Sequence, residues 1–238
     1  MKIVNLVLYN DDVKYVKMRN ILQKHYAKYQ NVTTIFYKYD NSLQNDIELC
    51  GDILNIKGQE TYIPGILEKT IVAIEYILKN VRDYDYIVRS NISSVIDFKL
   101  LCVELKHDAI EFYGGTRFGK ILPGSDVKID PKYVHTPYAS GTNIILSKKG
   151  SQILIENKHL IKKEVVDDIA IGVLFKDMNV KHKEIVPHKF VFVPNMKMNS
   201  ILFQKIMEEK FILYRNMNGD REIDILQMTM ITDYLAHN

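Results

Sequence analysis

Apolar positions in this chain alternate between strand-like runs and helical spacing. Lys2 to Tyr9 is an apolar run suited to a strand buried on both faces. Asn10-Asp11-Asp12 then supplies N-cap chemistry for a helix over Val13 to Tyr29. Val32 to Tyr39 reads as the next strand and Asp52 to Ile56 as a short third. Pro64 opens a helix reaching Asn80, with Ile66, Leu67, Ile71, Ile74 and Leu78 near helical spacing. Tyr84 to Val88 is a strand, Asp97 to Leu105 a helix and Ile110 to Tyr113 a strand. Gly114 to Pro137, with several Gly and Pro, reads as a long loop, and such loops in compact domains often carry function. Asn143 to Leu146 is a strand, followed by a helix to Asn157 and another over Asp167 to Lys176. Strands over Lys189 to Val193 and Phe211 to Tyr214 and a helix from Asp220 to Leu235 close the chain.

This alternation implies an α/β fold with a central, mostly parallel sheet, whose ligands sit at the carboxyl ends of the strands. The chemistry is therefore expected after Leu8, after Val88 and around Tyr138 to Asp168. No internal repeat, low-complexity run or Pro/Gly-rich linker interrupts the chain, so residues 1–238 read as one domain.

Composition narrows the class. Of 238 residues, 47% are hydrophobic and 26% charged, which is ordinary for a globular protein. No run is long and apolar enough for a membrane span, and the first residues lack the pattern of a secretory signal. A cytosolic, soluble protein is expected. A net charge of +3 is too small to indicate nucleic acid, so the lysines read as a solvated surface. Cys50 and Cys102 lie in apolar runs and are expected to be buried free thiols, in keeping with a reducing compartment.

Four segments carry candidate chemistry. In Asp85-Tyr-Ile-Val-Arg-Ser-Asn-Ile-Ser93 an apolar strand ends in small polar side chains. Asn91 and Ser93 offer the hard oxygen donors that Mg²⁺ or Mn²⁺ prefers, but neither is charged, and a polar turn capping the next helix is the plainer alternative. Tyr138-Ala-Ser-Gly-Thr142 would let a ligand approach the backbone closely, or is an ordinary tight turn. In Glu164-Val-Val-Asp-Asp168 two adjacent carboxylates begin a helix: both could serve its terminus, or one could cap while the other faces a cleft as a general base. In Tyr214-Arg-Asn-Met-Asn-Gly-Asp-Arg221 two arginines flank a glycine turn before a helix, an arrangement suited to phosphate or to a plain surface loop.

The succession of these segments resembles the β-1,3-galactosyltransferase and Fringe group. Gly51-Asp-Ile-Leu-Asn, Glu60-Thr-Tyr-Ile-Pro-Gly-Ile-Leu-Glu-Lys-Thr70 and Tyr84-Asp-Tyr-Ile-Val-Arg are similar to that group's Asp-Ile segment, Lys-Thr helix and Tyr-Asp strand. His135-Thr-Pro-Tyr-Ala-Ser-Gly-Thr142 with Leu146-Ser147 resembles its Tyr-Pro-Pro-Tyr-x-Ser-Gly-Gly segment and following Leu-Ser. Val166-Asp-Asp-Ile-Ala-Ile-Gly172 is similar to its acceptor-side Asp-Asp motif, and Tyr15 to Arg19 to its early arginine. The individual motifs are loose; their order and spacing over residues 50 to 175 are the specific part. In its shortness the chain also looks like the compact sugar transferases of giant and algal viruses, which would put it in a host cytoplasm.

The resemblance implies a single GT-A (Rossmann-like) nucleotide-sugar-binding domain acting as an inverting transferase. It would use a UDP-sugar donor and a glycan or glycoconjugate acceptor. Asp168 is the implied general base, with Asp167 as the alternative. Tyr9, Asn10, Arg19, Lys69 and Arg89 would lie on the donor side. Asn91 and Ser93 would face the diphosphate or a weakly held Mn²⁺ or Mg²⁺, Ser140 and Gly141 would border the sugar, and Arg215 and Arg221 would meet phosphate. One departure stands out: the group's Asp-x-Asp metal motif is replaced by Asn91-Ile92-Ser93. His182 and His188 are the nearest candidates for a further metal ligand, though both come early. The competing reading is a catalytically inactive nucleotide-sugar or carbohydrate-binding protein on the same fold.

Overall fold

A computed structural model describes residues 1–124, 129–185, 189–195 and 200–237. The chain runs β1 (Ile3–Leu8), α1 (Val13–Tyr26), β2 (Val32–Asp40), β3 (Ile47–Cys50), β4 (Ile53–Lys57), α2 (Gly65–Asn80), β5 (Tyr86–Asn91), β6 (Ser94–Ile96) and α3 (Phe98–His107). It continues with β7 (Tyr113–Gly115), β8 (Phe118–Lys120), β9 (Pro137–Ala139), β10 (Asn143–Ser147), α4 (Lys148–Glu156), α5 (Asp167–Asp177) and β11 (His182–Glu184). The last elements are β12 (Phe190–Val193), α6 (Ile201–Glu208), β13 (Leu213–Asn216) and α7 (Arg221–His237).

An eight-stranded sheet in the order β11-β7-β10-β5-β1-β2-β4-β3 forms the centre. β1 pairs in parallel with both β2 and β5, and β2 in parallel with β4. The apolar run of β1 is thereby buried on both sides. Ile3 and Val7 join Met18, Leu22, Phe98 and Leu101 on the face covered by α1 and α3. Val4 and Leu6 join Leu67, Ile71, Ile74 and Ala170 on the face covered by α2 and α5. Side chains alternating across a strand demand this double cover when both sets are apolar. A smaller sheet, β12-β13-β6, stands beside it.

Helix starts follow the expected cap chemistry in part. Asp12 accepts the N–H of Lys14 and Asp97 that of Leu100. Helix α5 departs from it: its N-cap is Val166, which makes no side-chain cap bond. α1 ends at Tyr26, short of the expected Tyr29.

Other differences are tertiary. β10 runs antiparallel to both β5 and β7, although its sequence gives no sign of direction. The expected long loop contains β8 and runs into β9, and the two pair as a short antiparallel ribbon. Cys50 is exposed, not buried, because among the described residues β3 is the outermost strand and pairs only with β4; its thiol donates to Glu48 Oε1 at 3.2 Å. Cys102 is half-buried. Among the described residues no helix is long and apolar enough to cross a membrane.

Candidate active site

The parallel register aligns Leu8 of β1 with Asn91 of β5, so both strands end at one level. The chain leaving β1 brings Tyr9 and Asn10 there, and the chain leaving β5 brings Asn91, Ile92 and Ser93. Together with Tyr15, Glu60, Thr61, Tyr62, Lys69, Arg215 and Arg221 they line a cleft of about 540 Å³. That volume suits a small-molecule ligand.

The small sheet delivers the first arginine. β13 pairs antiparallel with β6, with Arg215 opposite Ser94. Arg215 Nη1 donates to the Ser93 hydroxyl, and the backbone N–H of Asn216 donates to the Ser93 carbonyl at 3.0 Å. Arg215 is 9% exposed, and among the described residues no carboxylate forms an ion pair with it. Its Nε has no hydrogen-bond partner among the described residues. Burial and the neighbouring Arg221 push the guanidinium down to about 10.

Arg221 opens α7 beneath the Tyr15 ring, 5.8 Å from its centroid, and pairs with buried Asp224 at 2.5 Å. Lys69, on α2, is buried and held by Glu60 at 2.5 Å; burial lowers its pKa despite that partner. Among the described residues the cleft is thus lined by three cations, of which Arg215 has no paired acid.

Behind the cleft lies a second layer. Arg89 is 2% exposed. Its Nε donates to the Tyr37 hydroxyl at 3.2 Å and its Nη1 to Asn91 Oδ1 at 3.1 Å and to the Gly141 carbonyl. Its Nη2 pairs with Asp167 Oδ2 at 2.6 Å. Asp167 is therefore the counter-ion of a buried arginine and no helix cap. Asp168 keeps partial exposure. Its Oδ2 accepts the Gly141 N–H and its Oδ1 the Ile169 N–H, each at 2.9 Å. Burial and the adjacent Asp167 raise its pKa above the ordinary carboxylate value, against the lowering effect of the Gly141 N–H. A carboxylate so held is a stronger proton acceptor than a free one.

Gly141 is needed where these groups converge. A methyl there would lie 3.0 Å from Arg89 Nη1 and 3.4 Å from Asp168 Oδ2. The contacts run continuously from Asn91 at the cleft, through Arg89, to Gly141, Asp167 and Asp168.

The structure thus gathers Tyr9, Asn10, Lys69, Asn91, Ser93, Arg215 and Arg221 around one cleft. Arg89, Gly141, Asp167 and Asp168 stand behind it. Ser140 does not line the cleft; its hydroxyl accepts from the Thr142 hydroxyl at 3.1 Å. Arg19 does not line it either, because it pairs with Asp52 and lies against Phe36, its guanidinium carbon 5.3 Å from that ring centroid. His182 sits on the edge strand β11, its ring 5.0 Å from that of Phe118, away from the cleft. His188 lies outside the described residues. Sequence reasoning assigned no role to Tyr15, Glu60, Thr61 or Tyr62. Glu60-Thr-Tyr62 precedes α2, and the only signal in the sequence was an acid placed 9 positions before Lys69.

Asn91 and Ser93 fit a divalent cation poorly. Both are neutral, and each already accepts a hydrogen bond from a guanidinium group. Among the described residues no group of three His, Cys, Asp or Glu side chains is arranged to hold a metal ion.

Comparison with known proteins bears on this arrangement. The family model described as "Galactosyltransferase" matches residues 36–186. The fold is similar to that of a glycosyltransferase involved in glycosylating the major capsid of PBCV-1, at 7% identity over 97% of this chain and 100% of that one, with a TM-score of 0.53. The galactosyltransferase LgtC, solved with donor and acceptor sugar analogues, aligns at 11% identity over 100% of this chain and 96% of that one, with a TM-score of 0.46. The glycosyltransferase GlyE of Streptococcus pneumoniae TIGR4 aligns at 15% identity over 100% of this chain and 63% of that one, with a TM-score of 0.47. No curated protein sequence matches this chain.

Proposed function

This chain belongs to the galactosyltransferase family, and on that premise we propose that it transfers a hexosyl group from a UDP-sugar to a hydroxyl of a glycan or glycoconjugate, with inversion at the anomeric carbon. The observation that carries the reading is the pairing of a cationic cleft at the ends of β1 and β5 with a partly exposed carboxylate of raised pKa behind it.

In this reaction the acceptor oxygen attacks the anomeric carbon, and the bond from that carbon to the diphosphate oxygen breaks. Asp168 takes the acceptor proton as the new glycosidic bond forms. The electron pair of the broken bond leaves on the diphosphate, whose charge meets the guanidinium groups of Arg215 and Arg221. Arg89 acts at one remove: it neutralises Asp167, so that one carboxylate of the pair is fixed and the other stays available, and it holds Asn91 and Gly141 in place. Tyr9, Asn10 and Tyr62 supply aromatic and polar surface for the nucleoside and sugar.

Calorimetry against UDP, UDP-glucose, UDP-galactose and UDP-N-acetylglucosamine tests the reading. At least one should bind with a Kd between micromolar and millimolar, about −8 to −4 kcal/mol. Absence of heat with every nucleotide sugar would refute it. Binding without transfer to any hydroxyl acceptor would favour a non-catalytic binding protein on the same fold.

A further inference from the structure

We propose that the Arg215 and Arg221 guanidinium groups provide the positive charge that holds the donor diphosphate and receives it as it leaves, so that the protein binds and uses its donor without a divalent cation. The inference rests on the reading of the cleft as a nucleotide-sugar site and concerns how that site handles charge.

Three observations carry it. First, the oxygens expected to hold a metal are neutral and already face cations: Asn91 Oδ1 accepts from Arg89 at 3.1 Å, and the Ser93 hydroxyl accepts from Arg215. A dication at those oxygens would sit beside two guanidinium groups. Second, the nearby acids are committed. Glu60 holds Lys69 at 2.5 Å. Asp224 is wholly buried, paired with Arg221 and accepting from the Asn218 backbone N–H at 2.9 Å. Third, Arg215 is a buried cation with no paired carboxylate among the described residues and with an unpartnered Nε. A buried charge left in that condition is costly unless a ligand completes it. The planar fork of a guanidinium matches phosphate oxygens two at a time.

Arg215 also bonds the Ser93 side chain at the end of β5, while Arg221 approaches from the start of α7. The two cations come from consecutive elements of the chain and both line the cleft. In the transfer step the electron pair of the broken bond passes to the diphosphate oxygen, the guanidinium groups stay protonated, and the acceptor proton goes to Asp168.

The test is calorimetric titration of the full chain with UDP and, separately, with inorganic pyrophosphate, in excess EDTA and in millimolar MnCl₂. Sugar transfer or donor hydrolysis is followed in the same buffers. UDP should bind equally with EDTA and with Mn²⁺, and turnover should not need the metal. Arg215→Met should weaken UDP binding by about tenfold or more, Arg215→Lys should restore only part of it, and Arg221→Gln should weaken it several-fold. Thermal melting checks that each variant is folded; if Arg215→Met is not, Arg221→Gln and the EDTA arm still decide. UDP binding that appears only with Mn²⁺ overturns the inference and leaves the functional reading intact. UDP binding in EDTA that neither arginine variant changes also overturns it. Pyrophosphate binding in EDTA without UDP binding supports the arginine cradle and refutes the choice of nucleotide. Binding of neither probe in either buffer overturns both.

Discussion

Asp167 and Asp168 are adjacent in sequence, yet their replacement by asparagine should produce opposite phenotypes. Asp167 faces Arg89, a guanidinium 2% exposed, at 2.6 Å. Asp167→Asn preserves shape but removes the charge, leaving Arg89 with hydrogen bonds to Tyr37, Asn91 and Gly141, no ion pair, and only the more distant charge of Asp168. Breaking a buried pair from one side costs about 3–5 kcal/mol, and an asparagine that keeps one acceptor oxygen belongs near the lower end, about 3 kcal/mol. In a chain of this length that is a fall in Tm of about 6–12 °C. Asp168→Asn removes a carboxylate that burial and Asp167 already disfavour. It costs one of two backbone hydrogen bonds and relieves a like-charge contact, so stability should change by no more than about 1 kcal/mol. Transfer, however, should fall about 10²–10⁴-fold with donor affinity unchanged, because the proton acceptor is gone. Melting by circular dichroism, donor calorimetry and transfer to the best hydroxyl acceptor, or donor hydrolysis, measure the three quantities. An Asp168→Asn protein that transfers at the normal rate refutes the assignment of the base. An Asp167→Asn protein that melts like the parent refutes the account of Arg89.

Other outcomes follow from single groups. Because Asp168 acts deprotonated and its pKa is raised by burial and by Asp167, transfer should fall as pH drops through a value above the ordinary 3.8, and this limb should be missing from the residual rate of Asp168→Asn. Burial lowers His25 from 6.5 to about 4 in the folded chain, so the unfolded chain takes up the proton first; stability should be level above pH 6.5 and decline toward pH 4 by roughly 3 kcal/mol, and urea unfolding of His25→Leu should lack this component. Gly141→Ala puts a methyl 3.0 Å from Arg89 Nη1, and should lower transfer about tenfold or more while UDP affinity in calorimetry holds. A thiol reagent should label exposed Cys50 in the native protein faster than half-buried Cys102, as read by mass spectrometry of the peptides.

The period of the apolar positions was enough to determined most helices and the central strands, because burial of a strand on two faces or a helix on one writes itself locally into the sequence. That ligands belong at the carboxyl ends of β1 and β5 likewise followed from the alternation, whereas the adjacency of the two strands, which gathers Tyr9, Asn10, Asn91 and Ser93, came with the fold. The direction of β10 was not legible, since an apolar strand reads the same either way. Nor was the exposure of Cys50, which depends on β3 having no outer neighbour. The charges were the least legible of all. Arg19 found Asp52, Arg89 found Asp167, and Arg215 reached Ser93 across 122 positions. Local pattern marks a residue as charged, but which charge it meets, and whether it is buried without one, is decided only when distant strand ends are brought side by side.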